Sequence, residues 1–321
     1  MAHRLVIADG PLLDRILDFT YAIWSEGLTP AGYKGWNAAQ LRTPWGRDHL
    51  HRFALIDEQD RLLASAKRYR FDTRLDGRDV RMAGIGAVFT PPDLRGRGFA
   101  SEIVEQLVER ERQEGAALAS LFSEIGEGFY KRLGFNLVGL EEVTIEVMKK
   151  GGAPAMLVRA GDERDLPAIT AMHEVRSAPA RFALRRDPSL IMYSLAKRRL
   201  QAGFGPPGLR QTEFFVAEEG ASAVAYVVIT ASAGGWTIEE AGDRDPTGAR
   251  LGAMLQVLLA RDPTNQPPLI RAWWPHGFPV PPQIRLTERI PARDLFMIRP
   301  LVDLPMPQRN EEVFYWRSDY F

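Results

Sequence analysis

A short stretch rich in glycine and arginine has the composition of an anion-binding turn. It spans residues 88–101 and contains Arg95, Gly96, Arg97 and Gly98. The glycines remove side chains that would block a closely approaching ligand, and the arginines add positive charge. Backbone N–H groups gathered in such a turn at the start of a helix attract negative charge. The chemistry that these residues indicate is the binding of a phosphate or a pyrophosphate.

The patterns on both sides of this turn predict the elements that position it. Residues 81–88 are small or apolar and fit a strand, whereas Ile103, Leu107 and Val108 lie on one face of an amphipathic helix. Two better-known fingerprints are absent. The dinucleotide motif needs three spaced glycines and a later acidic residue, and the P-loop needs Gly-Lys-Ser/Thr.

Two motifs carry a resemblance to a known superfamily. The pattern Arg95-x-x-Gly98-x-Ala100 resembles the pyrophosphate signature of the GNAT superfamily of N-acetyltransferases. Residues 129–135, Phe-Tyr-Lys-Arg-Leu-Gly-Phe, are similar to the superfamily's Tyr-x-x-x-Gly-Phe segment and follow a predicted buried strand at 116–122. The motifs stand at the separation that the superfamily shows, and the resemblance covers roughly the first 150 residues.

The resemblance implies acetyl-CoA as the acyl donor. Its pyrophosphate would bind to the turn, and its pantetheine arm or acetyl carbonyl to backbone N–H groups at the end of the preceding strand. The implied cofactor-binding residues are Val88, Phe89, Arg95, Gly96, Arg97, Gly98, Phe99, Ala100 and Ser101. The alternative is a structural turn with a solvated arginine pair, which the second motif disfavours.

Acyl transfer to an amine needs a base for the amine and an acid for the departing thiolate. The resemblance assigns the acid to Tyr130, because the superfamily places a tyrosine of this segment beside the coenzyme A sulfur. A packed aromatic is the alternative. Many members carry a glutamate base on the strand before the turn, but residues 82–88 contain no acid. The base must therefore come from elsewhere or be a water molecule.

Two further segments offer residues for the amine acceptor. The candidates are Trp24, Glu26, Trp36, Ser123 and Glu124. Residues 25–36 are predicted to form a loop, whose aromatic and acidic side chains could attract a cationic amine. The same aromatics could equally fill the core beneath that loop. Ser123 and Glu124 end a predicted strand and could face the site, although a solvated Glu124 is equally plausible.

Length and pattern together predict two domains, because ~150 residues per domain is typical. Residues 1–150 would form the catalytic domain, and a Lys/Gly/Pro-rich linker would cover 149–154. Residues 151–302 repeat the order of strands and helices, but two acids and a proline replace open glycines in their turn at 242–248. We predict an α/β (α+β) protein with two tandem acetyltransferase-like domains. Each would have a mixed, mostly antiparallel central sheet flanked by helices, and the second domain would be degenerate.

A tandem pair with its site in the first domain resembles the enhanced-intracellular-survival family of aminoglycoside N-acetyltransferases. Residues 294–301 look like that family's late second-domain strand, but the family's sterol-carrier-like third domain has no counterpart in this sequence. In that family a terminal phenylalanine carboxylate serves as base, so the resemblance assigns this role to Phe321. Residues 303–321 would form a tail that reaches the active site. A water molecule, Asp319, or a tail that only packs are the alternatives.

Composition limits the remaining classes of function. Lys+Arg and Asp+Glu both number 41, and this balance argues against a nucleic-acid or membrane partner. There is no cysteine, the five histidines are scattered, and no metal is expected. These features are consistent with a cytoplasmic protein, and the resemblance makes a homo-oligomer possible.

The sequence therefore predicts an N-acetyltransferase that moves an acetyl group from acetyl-CoA to a primary amine by direct attack in a ternary complex. The acceptor would be an aminoglycoside-like or other small cationic amine, and a peptide N-terminus, a polyamine or a metabolite amine are the alternatives. A protein of a different class, a non-catalytic acyl-CoA-binding regulatory or interaction protein, is the second reading.

Overall fold

A computed structural model describes residues 3–148, 156–261 and 267–321. Up to residue 139 the elements are, in chain order, β1 (Arg4–Ile7), α1 (Gly10–Trp24), α2 (Pro30–Arg42), α3 (Pro44–His49), β2 (Leu50–Ile56), β3 (Leu62–Leu75), β4 (Arg78–Phe89), α4 (Phe99–Gln113), β5 (Leu118–Ser123), α5 (Gly128–Lys131) and β6 (Asn136–Leu137). They continue with β7 (Glu141–Val147), β8 (Leu157–Ala160), α6 (Leu166–Ser177), β9 (Phe182–Leu184), α7 (Pro188–Phe204), β10 (Arg210–Glu219), β11 (Ser222–Ser232), β12 (Gly235–Asp243), α8 (Ala249–Arg261), β13 (Ile270–Ala272), β14 (Ile284–Pro291), β15 (Leu295–Pro300) and β16 (Val313–Phe314). The predicted linker at 149–154 lies outside the described residues.

The chain divides into two compact units, each built around its own sheet. The first unit comprises Met1–Gly139, Arg293–Gln308 and Phe321, and the second comprises Leu140–Ala292 and Arg309–Tyr320. Both sheets are mixed, mostly antiparallel and flanked by helices, so the predicted fold class is confirmed. None of the helices in the described ranges is both long and apolar enough to span a membrane.

The sheet of the first unit contains a strand from late in the sequence. Its main path is β1-β2-β3-β4-β5-β15-β6, and along this path β4 and β5 are the parallel pair. In β15, Met297 pairs with Leu121 on one side and with Leu137 on the other. The prediction of a strand at 294–301 is therefore right, but its assignment to the second domain is wrong. Phe296, Met297 and Ile298 are all buried, which explains why this strand lies inside a sheet.

The sheet of the second unit contains a strand from the first half of the sequence. Its order is β14-β7-β13-β12-β11-β10-β8, and β7 pairs antiparallel with both β13 and β14. The division of the sequence at residue 150 had placed β7 with the first domain. The first sheet thus contains β15, from beyond residue 150, and the second sheet contains β7, from before it. Contiguous domain boundaries do not describe this exchange.

Most local predictions in the first half agree with the structure, but the predicted loop at 25–36 does not. Helix α2 begins at Pro30, and the hydroxyl of Thr29 accepts a hydrogen bond from the backbone N–H of Gly32 (3.1 Å). A threonine cap followed by proline at the first helical position is a helix-start signal. Glycine and proline are also typical of loops, and the pattern of residues 25–36 therefore predicted a loop.

Helix α4 packs one apolar face against the sheet of the first unit. Ile103, Val104 and Leu107 are fully buried in a core that includes Phe53 and Ile85. Burial of side chains of this size stabilises the folded state by about 1.5–3 kcal/mol each. The start of α4, where the glycine-rich turn lies, is thereby fixed against the ends of the central strands.

Candidate active site

The glycine-rich turn is open and conformationally suited to glycine. After a short 3-10 turn at Pro92–Leu94, Gly96 and Gly98 adopt φ values of +78° and +88°, which side chains with a Cβ rarely adopt. Arg95 and Arg97 are exposed, as are both glycines. The structure thus brings together two cations and a turn that is free of obstructing side chains.

The N-terminus of α4 has unused hydrogen-bond donors. Gly98 is its N-cap, and no side chain caps this end of the helix. The carbonyl of Gly98 accepts from the N–H of Glu102 (3.0 Å), which leaves the N–H groups of Phe99, Ala100 and Ser101 without intrahelical acceptors. These donors and the helix dipole can hold a phosphate oxygen.

Strand β4 carries a bulge just before this turn. Ala87 has a φ of +47°, and the register of β3 against β4 shifts there: Lys67 lies opposite Gly86, whereas Ser65 lies opposite Phe89. Bulges of this kind bend a strand and end its regular pairing.

The bulge coincides with the place where β4 and β5 separate. Their parallel pairing runs from Met82 opposite Leu118 to Ile85 opposite Leu121 and ends there. The predicted binding residues Val88 and Phe89 therefore lie in a part of β4 that has no partner on the β5 side. Backbone donors along such a gap can bind an extended, amide-rich ligand arm.

The C-terminal residue packs on this sheet. The ring of Phe321 lies 5.1 Å from the rings of both Tyr69 and Phe71 and 5.3 Å from that of Phe122, measured between centroids. A Cβ on Gly84 would lie 2.8 Å from the rings of Phe321 and Phe71. Glycine is therefore required at position 84 for the terminal ring to occupy this aromatic cage.

The terminal main-chain atoms of Phe321 lie beside β4. One oxygen of its terminal carboxylate is 3.5 Å from the position that a Cβ of Gly86 would occupy. Its carboxylate makes no hydrogen bond or ion pair with the residues that the structure describes. A carboxylate from the chain end thus lies next to the strand that has no acidic side chain between Met82 and Val88.

Tyr130 lies in α5 and is almost buried, with 7% of its surface exposed. Its ring packs edge-on against those of Phe129 (4.8 Å) and Phe135 (6.1 Å). Burial raises the pKa of Tyr130 to about 12, and the negative charge of Glu124 adds to this effect. The hydroxyl therefore keeps its proton at neutral pH, as a general acid requires.

The two candidate catalytic groups belong to opposite faces of the sheet. Tyr130 shares a core cluster with Leu121 on the face that α4 covers, whereas Phe321 contacts Phe122. Successive residues of a strand point to opposite faces. An acyl group held in the gap between β4 and β5 would be accessible to Tyr130 from one face of the sheet and to the Phe321 carboxylate from the other.

The acceptor candidates near α1 and α2 have different environments. Trp24 ends α1 and is half-buried, and Glu26 is exposed in the following turn with a φ of +53°. Trp36 is buried in α2, and the Nζ atom of Lys67 lies 5.6 Å from its ring. The packing of Trp36 favours the core interpretation for this residue, and its ring face already has a protein cation.

Ser123 and Glu124 follow one another at the end of β5 but differ in environment. Ser123 is buried, and its hydroxyl donates to the carbonyl of Gly126 (2.6 Å), which supports the turn before α5. Glu124 is exposed. Its negative charge helps to raise the pKa of Tyr130, so it lies within electrostatic range of the candidate acid.

Sequence reasoning missed the cage that surrounds the terminal ring. Tyr69 and Phe71 alternate along β3, and Gly84 and Gly86 alternate along β4, so each pair faces one side of the sheet. Glycine inside a strand often marks the close approach of another group. The Gly-x-Gly pattern at residues 84–86 of the predicted strand could therefore have indicated that another group packs against it.

The corresponding turn of the second unit, between β12 and α8, is occupied by its own carboxylates. Asp243 accepts hydrogen bonds from the N–H groups of Asp245 and Leu251, both at 2.8 Å. Asp245 in turn accepts from the N–H of Thr247 (2.8 Å). Three backbone donors of this turn therefore already bind the chain's own carboxylates.

Comparison with known families identifies a domain within the first half of the chain. Residues 22–138 match the sequence model of an acetyltransferase (GNAT) domain, and this match covers just over a third of the chain. It includes the glycine-rich turn and Tyr130. No curated protein matches the sequence.

Solved structures share the fold over nearly the whole chain. A probable N-acyltransferase from Enterococcus faecalis V583 is 15% identical, with a TM-score of 0.68, and the match covers 94% of this chain and 72% of that chain. A GCN5-related N-acetyltransferase from Kribbella flavida is 18% identical, with a TM-score of 0.66, over 93% and 71%. Eis1 from Mycobacterium abscessus is 13% identical, with a TM-score of 0.56, over 94% and 74%. At these identities the likeness establishes the fold.

Proposed function

We propose that this protein is an N-acetyltransferase that uses acetyl-CoA and acts on a primary amine from a site in the first unit. The observation that carries the proposal is the combination, within the GNAT-matching segment, of an uncapped helix N-terminus with the gap between β4 and β5. The turn of residues 95–101 would bind the pyrophosphate, and Val88 and Phe89 would bind the pantetheine arm or the acetyl carbonyl. No resident cofactor or metal is part of the proposal.

The proposed chemistry is a direct transfer in a ternary complex. The amine nitrogen attacks the thioester carbonyl carbon, the C–N bond forms, and the C–S bond then breaks. The Phe321 carboxylate accepts the proton that the amine loses, directly or through a water molecule. Tyr130 donates a proton to the departing sulfur. The aromatic cage around Phe321 supports this assignment, because it holds a carboxylate beside residues 82–88 of β4, which include no acid.

The second unit is proposed to be degenerate with respect to the donor. The carboxylates of Asp243 and Asp245 would repel a pyrophosphate and already use the donors of that turn. Its contribution is to support the fold and to hold residues 309–320, which precede Phe321.

The acceptor is proposed to be a small cationic amine, with an aminoglycoside-like compound as the first candidate. The resemblance to the enhanced-intracellular-survival family and the fold shared with Eis1 support this choice. Trp24, Glu26, Trp36, Ser123 and Glu124 are the proposed acceptor contacts. A cytoplasmic location and a homo-oligomeric state belong to the same proposal and stay predictions.

A panel of amines tests the proposed activity. Coenzyme A release from acetyl-CoA is followed with aminoglycosides, polyamines, peptides with a free N-terminus and small metabolite amines, and the acetylated product is identified by mass spectrometry. We expect transfer to at least one amine class. Saturable binding of acetyl-CoA without transfer to any of them would instead favour the second candidate, a non-catalytic acyl-CoA-binding protein, to which the absence of an acid from residues 82–88 lends support.

A further inference from the structure

Three arginines are deeply buried in the described part of the chain, and one of them has no carboxylate partner. Arg68 lies 3.3 Å from Glu111, and Arg186 is paired with Glu240 at 2.6 Å. Arg52 is equally buried, with 3% of its surface exposed, but no ion pair joins it to any described residue. Its Nη2 atom has no hydrogen-bond partner either.

An uncompensated buried charge is unfavourable, so its retention calls for a reason. Burial lowers the pKa of Arg52, while the tyrosines Tyr33 and Tyr69 oppose this shift. A guanidinium nevertheless stays protonated in proteins. The interior beneath α1 and α2 therefore contains a positive charge that is not neutralised by a neighbouring acid.

The guanidinium is directed at one peptide group of the β4 bulge. Nη1 of Arg52 donates to the carbonyl oxygen of Ala87 at 3.3 Å. That carbonyl and the N–H of Val88 belong to the same peptide unit. The described chain contains no cis peptide bond, so the two groups point in opposite directions.

The proposed direction of the Val88 N–H is the β5 side of β4. Arg52 is on β2, which β3 separates from β4, and its guanidinium bonds the carbonyl on the other side of the same peptide unit. On the β5 side the pairing of β4 ends at Ile85, and the gap begins there.

We propose that Arg52 is a positioning residue that polarises the Ala87–Val88 peptide, so that the Val88 N–H stabilises negative charge on the thioester oxygen. This inference rests on the proposed function. When the amine attacks, the π electrons of the acyl C=O move to its oxygen, which accepts the hydrogen bond of Val88. When the C–S bond breaks, the electron pair returns to re-form C=O, and the sulfur takes a proton from Tyr130.

Two physical effects support this role. A hydrogen bond to the carbonyl side of a peptide strengthens the donor on its other side, and a charge acts more strongly at low dielectric than in water. Arg52 also holds Ala87 at a positive φ, which is disfavoured for a residue with a Cβ. It thereby fixes the direction of the donor before the substrate binds, which is the arrangement that lowers the cost of charge development.

Infrared spectroscopy of acetyl-CoA labelled with carbon-13 at the acetyl carbonyl tests the inference. In the wild-type protein we expect the carbonyl stretch of the bound thioester to fall below its frequency in solution. Arg52→Met should remove most of that decrease and lower kcat by roughly 10- to 100-fold, since loss of a whole oxyanion donor costs about 10²–10³-fold. Acetyl-CoA affinity should change little, because the pyrophosphate turn is untouched.

Further variants separate this role from a general effect of removing a buried arginine. Arg52→Lys and Arg52→Gln keep, respectively, the charge and a donor, so each should restore part of the frequency decrease and of kcat. If Arg52→Met does not fold, the carbonyl frequency and kcat of these two variants, compared with the wild-type protein, test the role of Arg52 instead. Arg68→Met is the matched control: it removes another buried guanidinium and should leave the carbonyl frequency unchanged.

The outcomes distinguish this inference from the function on which it rests. Failure of the wild-type protein to bind acetyl-CoA would overturn the proposed function. Binding with a lowered carbonyl frequency that survives in all three Arg52 variants would overturn the role of Arg52 alone.

Discussion

At the scale of single residues, the proposed mechanism assigns acid and base to two unlike groups. Tyr130 is a buried phenol whose pKa is raised to about 12, and Phe321 contributes its main-chain carboxylate. Sequence motifs located the tyrosine, because it belongs to a contiguous segment. The position of a chain end cannot be derived from local pattern, and only the resemblance suggested it.

Replacement of the proposed acid gives the first prediction. Tyr130→Phe removes one hydroxyl from a packed ring and should lower kcat by about 100-fold or more, in the range of general-acid contributions. Binding of acetyl-CoA, measured by calorimetry, should survive. Turnover equal to that of the wild-type protein would remove Tyr130 from the mechanism.

The pH dependence of the same residue checks its protonation state. A raised pKa keeps the phenol protonated as pH rises, so the acid form is lost only near the raised value. The rate should therefore show no decline from this group at pH ~10, where an ordinary tyrosine is half ionised. A decline near pH ~10 that is absent in Tyr130→Phe would contradict the raised pKa.

At the scale of elements, β4 organises the site. It supplies the bulge, the donors at the gap and the two glycines that accommodate the terminal residue. The strand, the turn and helix α4 were predictable, since periodicity and glycine placement are local signals. The gap was not, because it depends on where pairing with β5 ends. The pairing of β15 with β5 could not be predicted either, since a local pattern does not specify which distant strand will pair with a given strand.

The glycines of β4 give a graded prediction. Gly84→Ala places a Cβ 2.8 Å from the Phe321 and Phe71 rings, so it should displace the terminal ring and lower kcat by roughly 10- to 100-fold. Gly86→Ala places its Cβ at the ordinary contact distance of 3.5 Å and should lose much less activity. Steady-state kinetics compares the two.

Acetyl-CoA binding is the control for this pair. Neither substitution lies in the pyrophosphate turn, so calorimetric affinities should stay close to that of the wild-type protein. Equal activity in both variants would mean that the position of the terminal ring does not matter for catalysis.

At the scale of the whole molecule, the tail has a buried anchor in the second unit. The guanidinium of Arg186 donates hydrogen bonds to the side chains of Asp319, Ser318 (2.6 Å) and Glu240 (2.6 Å), and all three side chains are buried. The Nζ of Lys197 donates to the carbonyl of Tyr320 at 2.9 Å. These contacts hold residues 318–320 in place within the second unit. The carboxylate of Asp319, the alternative base, is buried against Arg186.

Loss of the anchor should destabilise the protein. Arg186→Met leaves Asp319 and Glu240 buried without their cation, and breaking a buried pair in this way costs about 3–5 kcal/mol. Chemical denaturation should show this decrease. Arg185→Met is the matched control: its pair with Glu174 is substantially exposed and should contribute less than about 1 kcal/mol. Equal stability of the two variants would contradict the anchoring role.

The central claim, that the first unit binds acetyl-CoA at the start of α4, has one direct test. Acetyl-CoA is titrated calorimetrically into the wild-type protein and into the double variant Arg95→Glu, Gly98→Asp, which reverses one charge and blocks the turn. We predict saturable binding with one site per chain in the wild-type protein and its loss in the variant. No binding by the wild-type protein, or equal binding by both, would contradict the assignment of this turn as the donor site.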